Sequence, residues 1–126
     1  MATYRHLEIT KHGDVSVVRF VPPALLGDLE TKVGEELDSV ATEEGCTKLL
    51  LNLSGVQFLS SQVLGKLILL HKRMKEKGGN LKLSDVSPNL RPIFGITRLN
   101  KILDIRDTEA SALDSFGGSS VPGIKE

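Results

Sequence analysis

A nearly unbroken run of large apolar residues, Leu49-Leu50-Leu51-Asn52-Leu53, is the feature that most restricts the fold of this chain. The run is too short for a typical helix and follows a turn-forming segment, so it predicts a β-strand. A strand with one solvated face would alternate apolar and polar side chains, and this run does not. It therefore predicts a strand that is covered on both faces, as in a parallel sheet flanked by helices.

Other regions of the chain also have the pattern of β-strands. Residues 7–9 and 15–20 predict a hairpin that turns at His12-Gly13-Asp14. Pro22-Pro23 ends the second of these strands, since proline cannot donate a hydrogen bond to a neighbouring strand. Two later strands are predicted at residues 81–83 and 102–105.

Helices are predicted between these strands. The first has apolar residues at spacings of three and four and is ended by Gly45. Its apolar face comprises Leu26, Leu29, Val33, Leu37 and Val40. A second helix is predicted over residues 61–77, closed by Gly78-Gly79; Ser87-Pro88 opens a short third helix, and residues 108–116 form the last. This alternation, which begins with a hairpin, predicts an α/β sandwich with a mixed sheet of four to five strands and about four helices.

The length of 126 residues suits one domain, predicted over residues 1–116, and the turn-forming residues 117–126 predict a disordered tail. Sixteen Lys and Arg balance sixteen Asp and Glu, which favours neither a nucleic acid nor an anionic membrane as partner. The single cysteine, Cys46, excludes an internal disulfide and suits a reducing compartment. The sequence has no apolar run of signal-peptide or membrane-spanning type, so it predicts a cytoplasmic protein.

Residues 52–65 contain the candidate site. An apolar strand ends there, a turn follows, and Ser60 and Ser61 stand where the second helix begins. One interpretation is that one of the two hydroxyls caps the helix, which stabilises a helix by about 1 kcal/mol. The other is that one hydroxyl is phosphorylated, because a phosphate there would meet free backbone N–H groups and the positive end of the helix dipole. Both interpretations remain open at this level.

The predicted second helix also offers a contact patch beside the serines. Helical spacing places Val63 on its core-facing stripe, and Gln62, Gly65 and Leu69 on the opposite stripe. Gly65 would let a partner approach closely. The alternative is that Leu69 packs against the last helix or the tail.

Other chemistries have less support. Ser61 lacks the Gly-x-Ser-x-Gly elbow of a hydrolase, the sequence has no phosphate-binding glycine loop, and its histidines and cysteine lack metal-ligand spacing. We interpret His71 as a partly buried packing residue. We interpret the basic edge of the second helix as a solvated face; it comprises Lys66, Lys72, Arg73, Lys75 and Lys77. The sequence therefore predicts no catalytic residue, no cofactor and no metal.

The stretch around the two serines resembles the STAS domain of anti-sigma factor antagonists. In that family an apolar strand leads into Phe-Met-Asp-Ser-Ser-Gly-Leu-Gly, and the serine after the aspartate is phosphorylated by a partner kinase. Phe58 and Leu64-Gly65 align with this motif and put Ser61 at the phosphorylated position, with Ser60 at the aspartate and Val63 at the first glycine. The resemblance covers roughly residues 7–116 and includes Gly78-Gly79-Asn80-Leu81-Lys82-Leu83, Ser87-Pro88, Phe94 and Leu99-Asn100-Lys101-Ile102.

The resemblance implies a protein-binding switch rather than an enzyme. The unphosphorylated protein would bind an anti-sigma factor, which is also a serine kinase, and so free a sigma factor. Phosphorylation of Ser61 would end this binding, and a metal-dependent serine/threonine phosphatase would reset it. The partner-binding residues would be Ser60, Ser61, Gln62, Gly65 and Leu69, with Ser60 a secondary acceptor, and the chain would be a monomer or a weak dimer.

Two alternatives remain. The first is the same fold as a phosphorylation-independent interaction module in a signalling scaffold or a membrane transport complex, which Ser60 and Val63 favour because they replace the family's aspartate and glycine. The second is a small ligand-binding or hydrolytic domain, which would need a pocket that the motifs do not indicate.

Overall fold

The structure, a computed structural model, describes residues 5–43 and 45–117. The strands in these ranges are β1 (Leu7–His12), β2 (Val15–Phe20), β3 (Ala24–Leu25), β4 (Lys48–Asn52), β5 (Phe58–Leu59), β6 (Asn80–Ser84) and β7 (Asp104–Arg106). The helices are α1 (Asp28–Thr42), α2 (Ser61–Glu76), α3 (Arg91–Ile96) and α4 (Glu109–Gly117), with a 3₁₀ helix at Leu99–Lys101. The predicted tail, apart from Gly117 at the end of α4, lies outside the described residues.

Five of the strands form one mixed sheet in the order β1-β2-β4-β6-β7. β1 and β2 are an antiparallel hairpin, and β2, β4, β6 and β7 run parallel to one another. The central register aligns Val18 with Leu51 and Leu51 with Leu83. The predicted mixed sheet with four helices is confirmed.

Different helices cover the two faces of this sheet. Side chains alternate along β4, so Leu49 and Leu51 pack with α1 and α2, whereas Leu50 faces the opposite side. There Leu50 joins Val17 against Ala112 of α4. All three leucines are fully buried, and burial of each such side chain contributes about 1.5–3 kcal/mol. The predicted strand with two covered faces is confirmed.

Helix α2 follows its predicted course closely. Its buried stripe consists of Val63, Leu64, Leu67, Leu70 and Met74. The helix ends at Glu76, and Gly78 then adopts a φ of 80°. A Cβ atom on Gly79 would collide with the backbone carbonyl of Thr47, so this approach of two chain segments requires glycine.

The boundaries of α1 differ from the prediction. The helix begins at Asp28, so Leu26, which the periodicity placed on its apolar face, precedes it and is exposed. It ends at Thr42 rather than Gly45, where the Thr42 hydroxyl donates a hydrogen bond to the Asp38 carbonyl oxygen at 2.8 Å. Gly45, at a φ of 89°, lies in the loop that leads to β4.

The prediction that Ser87-Pro88 opens the third helix is wrong. α3 begins at Arg91, after a turn. The Ser87 hydroxyl donates a hydrogen bond to the carbonyl oxygen of Val56 at 3.0 Å. It is therefore used to join two distant segments rather than to cap a helix.

The last strand is shorter than predicted, and two short strands were not predicted at all. The Leu103 N–H donates to the Leu99 carbonyl at 2.7 Å, so the chain is still turned there and β7 begins only at Asp104. β3 and β5 contain two residues each, which is too short for a periodic pattern. The closing helix is confirmed, and the Thr108 hydroxyl accepts a hydrogen bond from the Ser111 N–H at its start.

Candidate functional site

The two serines at the start of α2 have different structural roles. Ser60 has extended backbone angles and is the N-cap, and its hydroxyl accepts a hydrogen bond from the Val63 N–H at 3.3 Å. Ser61 is the first helical residue and is exposed. The capping interpretation therefore applies to Ser60, and the Ser61 hydroxyl lies at the surface.

Ser61 lies at the positive end of the helix. The first helical hydrogen bond runs from the Leu64 N–H to the Ser60 carbonyl at 3.1 Å. The N–H groups of Ser61 and Gln62 come before this bond, at positions where helical geometry provides no intrahelical acceptor. An anionic group on Ser61 would be favoured by these donors and by the helix dipole.

A small second sheet positions the segment that leads into the serines. β3 and β5 pair in parallel, with Ala24 opposite Phe58. The Pro23 carbonyl accepts hydrogen bonds from the N–H groups of Gln57 at 2.7 Å and Phe58 at 3.3 Å. The loop that contains the two prolines therefore lies beside the approach to Ser60. Phe58 is 57% exposed and adds an apolar side chain to this surface.

Ser61, Gln62, Gly65 and Leu69 form one exposed stripe along α2, which we call the Ser61 stripe. Leu69 is 49% exposed. Apart from its own chain neighbours and the backbone of α2, no atom in the described part of the chain lies within 4 Å of a Cβ built on Gly65, so the stripe is open at its centre. The structure brings these predicted site residues together, with Ser60 at their end.

Of two sequence-based ideas about this part of α2, the packing of Leu69 against the last helix is wrong and the core-facing position of Val63 is confirmed. Leu69 does not pack against the last helix, because α2 and α4 cover opposite faces of the sheet; packing on the tail lies outside the described residues. Val63, where the family motif has glycine, is only 2% exposed. Its extra bulk therefore enters the core and leaves the exposed surface unchanged.

The basic edge of α2 is not simply a solvated face. Lys66 and Arg73 both form ion pairs with Asp38 of α1, at 2.9 and 2.7 Å. Lys77 donates to the Ala41 carbonyl oxygen at 2.5 Å. Ion pairs this close to the protein surface contribute about 1 kcal/mol or less each to stability. Their effect is to fix α1 beside α2.

A shallow cleft between these helices borders the Ser61 stripe. It has a volume of about 170 Å³ and is lined by Glu30, Gly34, Glu35, Gln62 and Lys66, together with Thr31. A Cβ on Gly34 would lie 3.1 Å from the Cε atom of Lys66, so the lysine stem crosses α1 at that glycine. The two glutamates make the rim of this cleft acidic.

Two hydrogen bonds join the approach to Ser60 with the turn that follows β6. The first is the bond from Ser87 to Val56, and in the second the Asn89 side-chain amide donates to the Gln57 side-chain oxygen at 3.0 Å. Sequence reasoning missed both, because each joins residues about thirty positions apart. They fix the segment that presents the two serines.

Two other side chains of reactive type, Cys46 and His71, are not part of the Ser61 stripe. Cys46 is buried. His71 is half-buried on α2, and burial, assisted by the nearby positive Lys75, holds the pKa of its imidazole below the usual value. Within the described ranges, no group of three or more His, Cys, Asp or Glu side chains could hold a metal ion. No helix in the described part of the chain has the length and apolar character needed to cross a bilayer.

Comparison with known proteins agrees with this architecture. The family model of the STAS domain matches residues 6–112. An anti-sigma F factor antagonist from Paenibacillus polymyxa is 29% identical over 111 residues, which cover 85% of this chain and 91% of the relative. The anti-sigma-B factor antagonist of Bacillus subtilis (strain 168) is 31% identical over 88 residues, or 62% of this chain and 81% of the relative.

The fold is also that of solved structures. An anti-sigma-factor antagonist (STAS) domain protein from Planctomyces limnophilus superimposes with a TM-score of 0.78 at 23% identity. The superposition covers 88% of this chain and 97% of that one. The family model and this superposition each cover most of the described residues.

Proposed function

The chain belongs to the STAS domain family, and from this membership we propose that it is an anti-sigma factor antagonist controlled by phosphorylation of Ser61. In the unmodified state the Ser61 stripe binds an anti-sigma factor. The anti-sigma factor then releases the sigma factor to which it was bound. The observation that carries the proposal is the division of roles between the serines: Ser60 caps α2, and Ser61 presents an exposed hydroxyl at the end of an exposed stripe.

Phosphorylation of Ser61 changes the docking surface without disturbing the fold. The added phosphate carries close to two negative charges at neutral pH. The start of α2 tolerates this charge, since the free N–H groups and the helix dipole favour an anion there. A partner that docks against the small and apolar residues Gly65 and Leu69 would have to bury the same charge, which is strongly unfavourable.

The partner supplies the chemistry of the modification. The Ser61 Oγ attacks the terminal phosphorus of a nucleoside triphosphate bound to the anti-sigma factor kinase. A new P–O bond forms as the bond to the nucleoside diphosphate breaks, and the hydroxyl proton passes to a base. Because Ser60 stands where the family has aspartate, we expect this base to belong to the kinase. A serine phosphatase of the metal-dependent class restores the hydroxyl by hydrolysis, and the chain itself catalyses neither step.

The proposed setting is the cytoplasm, where kinase, phosphatase and sigma factor meet. The experiment that tests the proposal is phosphopeptide mapping of the protein purified from its own cells, during growth and under stress. The expected result is one phosphoryl group on Ser61 whose occupancy changes with the condition. An unmodified Ser61 in every condition, with partners still co-purifying, would instead support the phosphorylation-independent interaction module.

A further inference from the structure

A second cleft, away from the Ser61 stripe, contains charged side chains for which the docking function has no use. It has a volume of about 240 Å³ and lies between α3, the 3₁₀ helix and the end of β7. Phe94 and Ile105 line its apolar part. Arg91, Asn100, Arg106 and Asp107 line its polar part.

Each of the two arginines uses one edge of its guanidinium group for hydrogen bonds within the protein. The Arg91 Nε donates to the Val86 carbonyl at 3.2 Å. The Arg106 Nε and Nη2 donate to the Asp104 carboxylate at 2.7 and 3.3 Å. These bonds leave the two terminal amino groups of Arg91 and at least one of Arg106 for another acceptor. An arginine fork matches a carboxylate or a phosphate in geometry and in charge.

The cleft also lies where ligands bind in sheets of this type. β6 ends at Ser84 and β7 at Arg106, so the cleft is outside the carboxyl ends of two parallel strands. Ligands of open α/β sheets bind in crevices at this edge. Two non-glycine residues with left-handed backbone precede segments that line it: Asp85, with φ of 56°, comes before Val86, and Arg98, with φ of 62°, comes before the 3₁₀ helix that contains Asn100. Such conformations are costly and cluster at binding sites.

We propose that this cleft binds a small organic anion, a carboxylate or a phosphate monoester with an apolar body. The anionic group pairs with Arg91 and Arg106, and the body packs against Phe94 and Ile105. Asp104 neutralises part of the Arg106 charge, so Arg91 is the principal anchor. The volume is below the roughly 300–1,000 Å³ of pockets that bind drug-sized ligands, which selects a smaller molecule.

The test is a titration of the 126-residue protein with phenyl phosphate, benzoate, inorganic phosphate and benzyl alcohol, followed by ¹H–¹⁵N NMR. We expect saturable shifts at residues of the cleft, with a Kd of about 1 mM or tighter for phenyl phosphate or benzoate. Whichever of these two ligands has the lower Kd shows whether the site prefers a phosphate or a carboxylate. Inorganic phosphate lacks the apolar body and benzyl alcohol lacks the charge, so both should bind more weakly.

Three variants distinguish a specific site from general attraction. Arg91→Gln should weaken binding roughly tenfold or more, since a hydrogen bond to a charged group is lost. Asp107→Asn should strengthen binding, because it removes a repelling carboxylate and breaks none of the hydrogen bonds described above. Lys101→Gln is the matched control: Lys101 is exposed on the 3₁₀ helix and does not line the cleft.

The proposal is overturned if neither phenyl phosphate nor benzoate gives saturable shifts at the cleft, or if Lys101→Gln weakens binding as much as Arg91→Gln. The spectrum of each variant without ligand reports whether it is folded. If Arg91→Gln fails to fold, Asp107→Asn decides, and unchanged or weaker binding by that variant counts against the site. Since the cleft shares no residue with the Ser61 stripe, failure here leaves the docking proposal intact.

Discussion

The Ser87 hydroxyl donates a hydrogen bond to the Val56 carbonyl oxygen at 3.0 Å, across 31 positions of the sequence. Ser87 and Val56 are both buried, so water cannot replace the bond. Through it, the turn that follows β6 fixes the segment that leads into Ser60.

Replacing this hydroxyl should destabilise the fold. Ser87→Ala leaves a buried carbonyl oxygen without its donor, which costs about 1–3 kcal/mol. Urea denaturation measures the loss. Asn89→Ala is the matched control, because its bond to Gln57 is exposed and exposed substitutions usually change stability by about 0.5 kcal/mol or less. Equal losses in the two variants would show that burial of the Ser87 bond has no special effect.

A negative charge at Ser61 should weaken binding to the anti-sigma factor without loss of stability. Ser61→Asp places a carboxylate on the Ser61 stripe, whereas Ser61→Ala keeps the stripe neutral and should bind. Ser111→Asp adds the same charge to an exposed position in the first turn of α4, on the other side of the sheet. Calorimetric titration with the partner compares the three. Tight binding by Ser61→Asp would contradict the switch and support the fixed module.

We expect Ser60 to stabilise the fold as the cap of α2 and not to accept the phosphoryl group. Ser60→Ala removes the cap of α2 and should lower the free energy of unfolding by about 1 kcal/mol. Ser60→Asp retains a capping carboxylate and should remain close to the original protein in stability. Both variants should still be phosphorylated at Ser61 by the partner kinase, which mass spectrometry detects. Loss of phosphorylation in folded Ser60→Ala would assign the acceptor to Ser60.

Two glycines should respond to alanine in opposite ways. Gly79→Ala forces a methyl group into the Thr47 carbonyl and should destabilise the protein by about 1–3 kcal/mol. Gly65→Ala has open space around its Cβ and should stabilise α2 by up to about 1 kcal/mol, given the helix propensities of the two residues. The added methyl lies on the Ser61 stripe, so the same variant should bind the partner less tightly. Thermal unfolding and partner titration measure the two effects separately.

His71 should make stability depend on pH in the mildly acidic range. Burial lowers the pKa of this imidazole in the folded protein below its ordinary value of 6.5, so the unfolded chain binds the proton more readily. The contribution of neutral His71 to the free energy of unfolding is fully present above pH 6.5. It is lost progressively as the pH falls from there through the folded-state pKa. His71→Gln should flatten this decline, as shown by denaturation at a series of pH values. His12→Gln, at the exposed last residue of β1, is the matched control. A decline that His71→Gln leaves unchanged would refute the assignment.

Periodicity and turn chemistry were sufficient to predict most of the sheet and α2. The buried leucines of β4 and the end of α2 shortly before Gly78-Gly79 follow from local patterns that the tertiary structure reinforces. The roles of Ser60 and Ser61 could not be separated from sequence, because both are good capping residues and only the backbone angles at Ser60 decide between them.

The errors arise where long-range contacts override local preference. Serine followed by proline is a typical start of a helix, yet the Ser87 hydroxyl donates its hydrogen bond to the carbonyl oxygen of Val56 instead. β3 and β5 are too short to give a periodic signal, and each becomes a strand only beside the other. The cleft depends on Arg91 and Arg106, which are fifteen positions apart in sequence and line one cleft only when α3 and β7 are in place. No local motif indicates such a pair.

The covering of one sheet face by α4 has a consequence for biosynthesis. Val15, Val17 and Leu50 leave the ribosome long before α4, whose residues Ala112, Leu113 and Phe116 pack against them. Until α4 is made, the nascent chain presents an uncovered apolar surface next to unpaired strands, which is the kind of intermediate that aggregates. Completion of the fold must therefore wait for the last helix, and a chain interrupted before it would be expected to depend on chaperones to stay in solution.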